Sequence, residues 1–375
     1  MKMSPSMIPS FRRLAAVLAA LALTPFAQAG AQAPERVVHV YNFTDYIAEE
    51  ALKSFTAETG IRVVYDVYDK NEILETKLLA GKSGYDVVFP SLKPFAERML
   101  AAKLFRALDK NKLHNLANLE PGMMRTLAAA DAGNAHLVPY MWGTTGLGYN
   151  VAKIKAALGS SAPVNSWALL FEPKNASKLA ACGISVLDDD EALAAALIYL
   201  RRDPNSARPE DLDAAAAAFR QVRPHIKHIH SSLYLDALAN GDICLAHGYS
   251  GDVIQARNRA IEAKNNVEIA YAVPSEGAVL WVDVMAIPAD APHADAAHAF
   301  IDYLLRPEVI AAISNKVSYA NANARATPLV DKDVREDPNV YLPDAAKERL
   351  VTLKVLDERE RRLRTRAWTR IKTGQ

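Results

Sequence analysis

IRVVYDVYDKNEILETKLLAGKSGYDVVFPS, residues 61–91, decides the fold. Its first nine residues alternate as a half-buried strand does, NEILETKLLAGKSG carries apolar residues at helical spacing, and YDVVFPS is a short buried strand. Working outward, RVVHVYN at 36–42 is a preceding strand, and AEEALKSFTAETG at 48–60 is a helix that Gly60 ends. A βαβαβ order predicts an open α/β sheet with right-handed crossovers. In such sheets ligands bind beyond the carboxyl ends of the strands. YNFTDYI at 41–47 and FPS at 89–91 both fall at that edge.

The 375 residues, half of them hydrophobic and 23% charged, suit a globular chain of two domains. Lys2, Arg12 and Arg13 precede the apolar run LAAVLAALAL and then TPFAQAGAQA, the order of a secretory signal peptide spanning 1–29, cut after Ala29 or Ala33. A retained anchor is the alternative. Cleavage removes three positive charges and no negative one, which takes the formal net charge from +1 to −2. A near-neutral chain does not coat nucleic acid. The locally basic DERERRLRTRAWTRIKTG, 357–374, reads as a solvated helix face. In an exported chain, Cys182 and Cys244 point to one disulfide, worth on the order of 4 kcal/mol if unstrained.

HLVPYMWGTTGLGYN at 136–150 is strand-like, and an alanine-rich helical region, the strand-like DICLAHGYS, the helical GDVIQARNRAIEA and a strand pair at 267–289 follow it. This order predicts a two-lobed α/β protein. Lobe one holds 34–141 and 264–330, and lobe two holds 144–263 and 331–375. Crossings near 141–144, 264–270 and 330 form a hinge, and a cleft between the lobes can close on a ligand.

Several motifs admit plainer readings. GTTGLG, 143–148, matches neither a dinucleotide nor a phosphate loop and reads as a flexible hinge crossover. GYSGD, 248–252, lacks the final glycine of a nucleophile elbow. HIKHIH, 225–230, supplies histidines without the other ligands that a metal needs. LDDDEA, 187–192, reads as helix capping at Asp188, with one acid free to face the cleft. The strand ends and loops YNFTDY, FPSLKPF, HSSLY, HGYSGD, LWVDV and SYANAN share aromatic, hydroxyl and carboxylate groups. Rings that cover methylenes and attract ammonium groups, with carboxylates to fix the ends, suit an aliphatic body carrying separated positive charges.

At these stretches, and through VVYDVYD, PYMWGTTGLGYN, DPNS, ANGDIC, YANANARATPLV and RTRAWT, the chain resembles the putrescine-binding periplasmic proteins of polyamine ABC transporters. The resemblance implies a type II periplasmic binding-protein fold, with mixed sheets flanked by helices, that captures a polyamine in the periplasm and delivers it to an inner-membrane permease. It implies a monomer with no cofactor and no nucleic-acid partner. Carried over by position, the ligand contacts are Phe43, Thr44, Asp45, Tyr46, Ser91, Glu191, Ser231, Tyr249, Asp252, Trp281, Asp283 and Tyr319, with Asp190 as the neighbouring alternative to Glu191. Phe43 and Tyr249 stand where the family places tryptophan, and Trp281 where it places phenylalanine. The rings survive, while cavity length, and with it the choice between putrescine and spermidine, stays open. The competing readings are a secreted hydrolase or amine-acting enzyme, for which no nucleophile, metal or cofactor motif is found, and a sugar or iron binder of the same fold.

Overall fold

Strand β1 (Val37–Phe43) runs parallel to β2 (Arg62–Tyr68) over its whole length and to β3 (Val87–Val88) on its other side. The crossovers are the helices Glu49–Thr59 and Asn71–Leu79. The first ends where Gly60 takes φ 67°, a conformation that costs glycine least, and its N–H closes on the Thr56 carbonyl at 2.9 Å. It turns Ala51 and Phe55 inward, and Phe55 packs edge-on against Phe300 at 5.1 Å. A ring buried this completely costs about 3–5 kcal/mol to truncate to alanine. These observations come from a computed structural model that describes residues 36–374. The expected signal peptide and its cleavage site lie outside the described residues.

A 14-residue strand, β4 (Leu137–Asn150), carries the chain out of this first half. There β5 (Ile184–Val186), β6 (Ile226–Ile229) and β7 (Leu245–Tyr249) form a second parallel set with β5 in the middle. β8 (Ile269–Ala272) pairs with β4, and β9 (Ala278–Ala286) runs back antiparallel along β4 from Thr145 to Leu137. The short β10 (Ala320–Asn321) pairs with β4, and β11 (Leu350–Val351) with β9. The sheet order is β2-β1-β3-β9-β4-β7-β5-β6. Two parallel βαβ sets thus face each other across the long β4–β9 ribbon, which is the two-lobed mixed α/β fold expected.

Each half has its own core. Val38, Val40, Val87 and Phe300 centre the first, and Ile184, Leu193, Phe219 and Leu245 the second. The chain crosses between them later than the hydrophobic pattern implies. Ile269 and Tyr271 pair with the distal end of β4 and pack among second-half residues, so the return runs through β9 rather than 264–270. Val330, Val334 and Val340 pack in the first core, so the tail crosses beyond 342 rather than near 330. An alternating strand looks the same whichever core its apolar face meets.

The helix Glu358–Thr373 is more than a solvated face. Ala367, Trp368 and Ile371 pack in the second core. Arg364 is buried with its Nε 2.9 Å from Asp190 Oδ1. Cys182 and Cys244 form the disulfide, with their Cα atoms 5.4 Å apart. No helix among the described residues is long and apolar enough to cross a membrane.

Candidate functional site

The carboxyl ends of the two parallel sets converge on one cleft of about 520 Å³. Phe43 ends β1, Tyr68 ends β2, and Ser91 follows β3. From the other half, Ser231 follows β6, Tyr249 ends β7, and Glu191 and Asp252 lie in the first turns of the helices after β5 and β7. Trp281 and Asp283 come from β9, and Tyr319 precedes β10. Every residue named above as a ligand contact lines this cleft except Asp45. Asp45 is held at φ 56°, and its carboxylate reaches across to Arg259 at 2.8 Å. That makes it a rim contact between the halves.

Tyr68, Asp69, Asn71 and Ser232 also line the cleft. The signal for the first two was available, because VYDKN ends β2 as YNFTD ends β1. Asn71 clamps Ser91, accepting from its amide at 2.9 Å and donating to its hydroxyl at 3.0 Å. Ser232 is placed by His230, whose Nδ1 accepts the Ser232 amide at 3.1 Å while Nε2 lies 3.5 Å from Asp69.

The aromatic wall is an edge-to-face lattice. Tyr249 meets Trp281 at 5.8 Å and 87°, Trp281 meets Tyr319 at 5.3 Å and 65°, and Tyr319 meets Tyr46 at 5.2 Å and 85°. Each ring holds the next, so the lattice is preorganised. Glycines make room for it. A Cβ on Gly143 would lie 2.8 Å from the Trp281 ring, and one on Gly251 2.5 Å from Tyr319. GTTGLG is therefore a buried, paired part of β4 that lets rings lie on the backbone, not a flexible crossover.

Asp283 is buried against that wall, and Asp252, Glu191 and Asp189 are partly buried there. Burial pushes Asp283 up to about 7, and the Ser91 and Tyr46 hydroxyls, which lie close to it without making a hydrogen bond of good geometry, offset only part of that. Its Oδ1 has no hydrogen-bond partner among the described residues, nor has the Tyr46 hydroxyl or Trp281 Nε1. Asp252 is raised to about 6 by burial while its Oδ1 and Oδ2 accept from Tyr319 at 2.6 Å and Tyr234 at 2.8 Å. Desolvation and then the repulsion of Asp189 hold Glu191 well above the usual carboxylate range, with Thr145 donating to it. Asp189 is also raised, by desolvation, and accepts the Tyr249 hydroxyl at 2.8 Å.

The acidic run divides its labour. Asp189, not Asp188, caps the helix Asp190–Tyr199, accepting from the Glu191 amide at 3.0 Å. Asp188 instead ties Lys70 of the first half to Lys372 and Trp368 of the C-terminal helix, at 2.9, 2.8 and 3.0 Å. Asp190 faces Arg364, which leaves Glu191 for the cleft. Ser250 of GYSGD is buried and accepts the Thr144 amide at 3.3 Å, and among the described residues no hydrogen bond joins it to a histidine; neither ring nitrogen of His247 has a partner there.

Known proteins resemble most of the chain. Residues 50–341 match the family model described as bacterial extracellular solute-binding protein. The putrescine-binding periplasmic protein PotF of Escherichia coli (strain K12) is 51% identical over 92% of this chain and 93% of its own length. The putrescine-binding periplasmic protein SpuD of Pseudomonas aeruginosa (strain UCBPP-PA14) is 49% identical over 97% and 100%. Among solved structures, the spermidine/putrescine ABC transporter substrate-binding protein PotD of Streptococcus pneumoniae superposes with a TM-score of 0.72 at 27% identity, over 90% of this chain and 99% of that one.

Proposed function

The chain belongs to the bacterial extracellular solute-binding protein family, and from that premise we propose that it captures a polyamine of the putrescine–spermidine class in the periplasm and hands it to an ABC permease. It works as a monomer and by binding, without covalent chemistry. The observation that carries the reading is Asp283: a buried carboxylate, one oxygen unpartnered, beneath a wall of aromatic rings. A buried charge without a cation is unfavourable, and an ammonium group supplies what is lacking.

The ligand's two ends differ. Asp283 accepts one ammonium from the first half, while Asp252 and Glu191 offer carboxylates from the second. Tyr46, Trp281, Tyr249 and Tyr319 cover the methylenes between, each ring face adding roughly 0.5–2 kcal/mol of attraction for a nearby cation. Capture closes the halves as lobes about the β4–β9 ribbon, because contacts from both are needed to remove water from both ends.

Calorimetry on the purified, ligand-stripped mature protein tests this with putrescine, cadaverine, spermidine and spermine, and an amino acid as control. At least one polyamine should bind with a one-to-one stoichiometry while the amino acid gives no heat. Binding of the amino acid alone, or of nothing, would overturn the proposal.

A further inference from the structure

Asn71 opens the helix after β2, Ser91 follows β3, and Asp283 lies on β9, where it forms a β-bridge with Ser91. Asn71 gives both ends of its amide to Ser91. Its Oδ1 accepts the Ser91 amide at 2.9 Å, and since a backbone N–H can only donate, this bond fixes which way the side-chain amide faces. Nδ2 is then the atom 3.0 Å from Ser91 Oγ, and it too can only donate. The Ser91 oxygen is thus an acceptor on the Asn71 side, and its own proton must leave in another direction. Asp283 is the carboxylate close beside it. Tyr46, Tyr68, Tyr140 and Glu191 are the other titratable groups around Asp283; burial holds the three phenols above their usual range and raises Glu191 as well. Asn71 makes no side-chain hydrogen bond to any of these four among the described residues.

We propose that Asn71 is a positioning residue for ligand capture: it turns the Ser91 hydroxyl proton towards Asp283 and so favours the charged carboxylate that an ammonium group needs. The inference rests on the polyamine reading above. A hydroxyl that donates to a carboxylate favours its ionised form, whereas one turned to a different acceptor contributes nothing there. Burial works against the ionised form of Asp283, so a donor aimed at it counts for more than it would in water. Asn71 also lines the cleft, so direct contact with the ligand is the competing role.

Asn71→Asp keeps the shape and the bond to the Ser91 amide but puts an acceptor where Nδ2 donates, which draws the Ser91 proton away from Asp283. Calorimetry with putrescine and spermidine, across the pH range in which Asp283 titrates, compares the full mature parent with Asn71→Asp, Ser91→Ala and the double variant. The pH at which affinity is half developed should rise by about one unit in each single variant, roughly a tenfold loss of affinity on the acid side. In the Ser91→Ala background Asn71→Asp should add less than about half of that shift, because both changes remove the same proton contact. Asn71→Ala, which only frees the hydroxyl to rotate, should shift the profile in the same direction by less, and it stands in if Asn71→Asp does not fold. An equal shift from Asn71→Asp with and without the Ser91 hydroxyl would make Asn71 a direct contact and overturn the assignment. So would an unshifted profile in Ser91→Ala or in the Asn71 variants, and in either case the polyamine reading would stand. If the parent bound neither amine, the polyamine reading itself would fall and this inference with it.

Discussion

Asp283 and Asp252 face one cleft from opposite halves, and they are built differently. Asp252 is fully subscribed: two tyrosine hydroxyls occupy its oxygens, and its amide donates to Tyr319 at 3.1 Å. Asp283 keeps one buried oxygen without a partner. Both are raised by burial, Asp283 to about 7 and Asp252 to about 6. The difference teaches that one carboxylate serves chiefly as charge and the other as scaffold. Asp252 orients Tyr319, and through Tyr234, which accepts the Tyr249 amide at 3.0 Å, the end of β7. Asp283 keeps a free acceptor, the one that the proposed function assigns to an ammonium group.

The sharpest way to break this contrast is Asp283→Asn. It should leave folding intact and weaken polyamine binding by roughly 2–5 kcal/mol, the cost of removing one side of a desolvated charge pair. Calorimetry of the variant checks it, and unimpaired binding would remove Asp283 from the ligand contacts. Asp252→Asn should cost less affinity, roughly 1–3 kcal/mol, and should also lower the melting temperature, because a buried tyrosine hydroxyl loses its acceptor. A variant that lost affinity with no change in melting would show Asp252 to act as charge alone.

Acidity separates the two carboxylates in a second way. Both lie above the ordinary value of 3.8, so the ligand-free fold binds more protons than the unfolded chain between pH 4 and 7. Their contribution to ligand-free stability is therefore present below pH 4 and lost as pH rises through 6 and then 7. Ligand binding has the opposite sign, because the carboxylates must be charged to hold ammonium groups. Affinity should rise from pH 5 to 8, by up to about tenfold per pH unit for each titrating group, with protons released on binding. A flat profile in buffers of differing ionisation enthalpy would contradict both assignments.

The smallest expected effect belongs to Asp188→Asn. The sequence pattern assigns this residue to capping and predicts no consequence, whereas the structure makes it the partner of Lys70, Lys372 and Trp368. A partly exposed ion pair between the halves is worth about 0.5–1 kcal/mol. The loss should appear as faster ligand release that high salt masks, readable by stopped-flow displacement.

Much of the fold was legible because periodicity is local. The alternation of RVVYDVY, the helical spacing of NEILETKLL and the glycine at 60 each report on residues only a few positions apart. Strand ends also pointed to Phe43, Ser91 and Tyr249, since ligands collect at the carboxyl edge of a parallel sheet. Asp45 misled for the same reason: it belongs to the right loop, but its left-handed backbone and Arg259, 214 residues away, set its direction. Tyr68 and Asp69 were missed although the rule that found Phe43 applies to them.

What the chain by itself determined was the order of its elements, the acidic and aromatic character of the loops between them, and the pair of cysteines able to join. Each follows from residue type and short-range spacing. Tertiary structure alone decided which of four consecutive acids caps a helix, which pairs with Arg364, which bridges the halves and which faces the cleft. It also decided that three glycines of β4 make room for other side chains rather than bend the strand. The physical reason is common to both. A side chain's charge state and direction depend on atoms brought beside it from distant parts of the chain, and burial amplifies those contacts beyond anything that sequence neighbours impose.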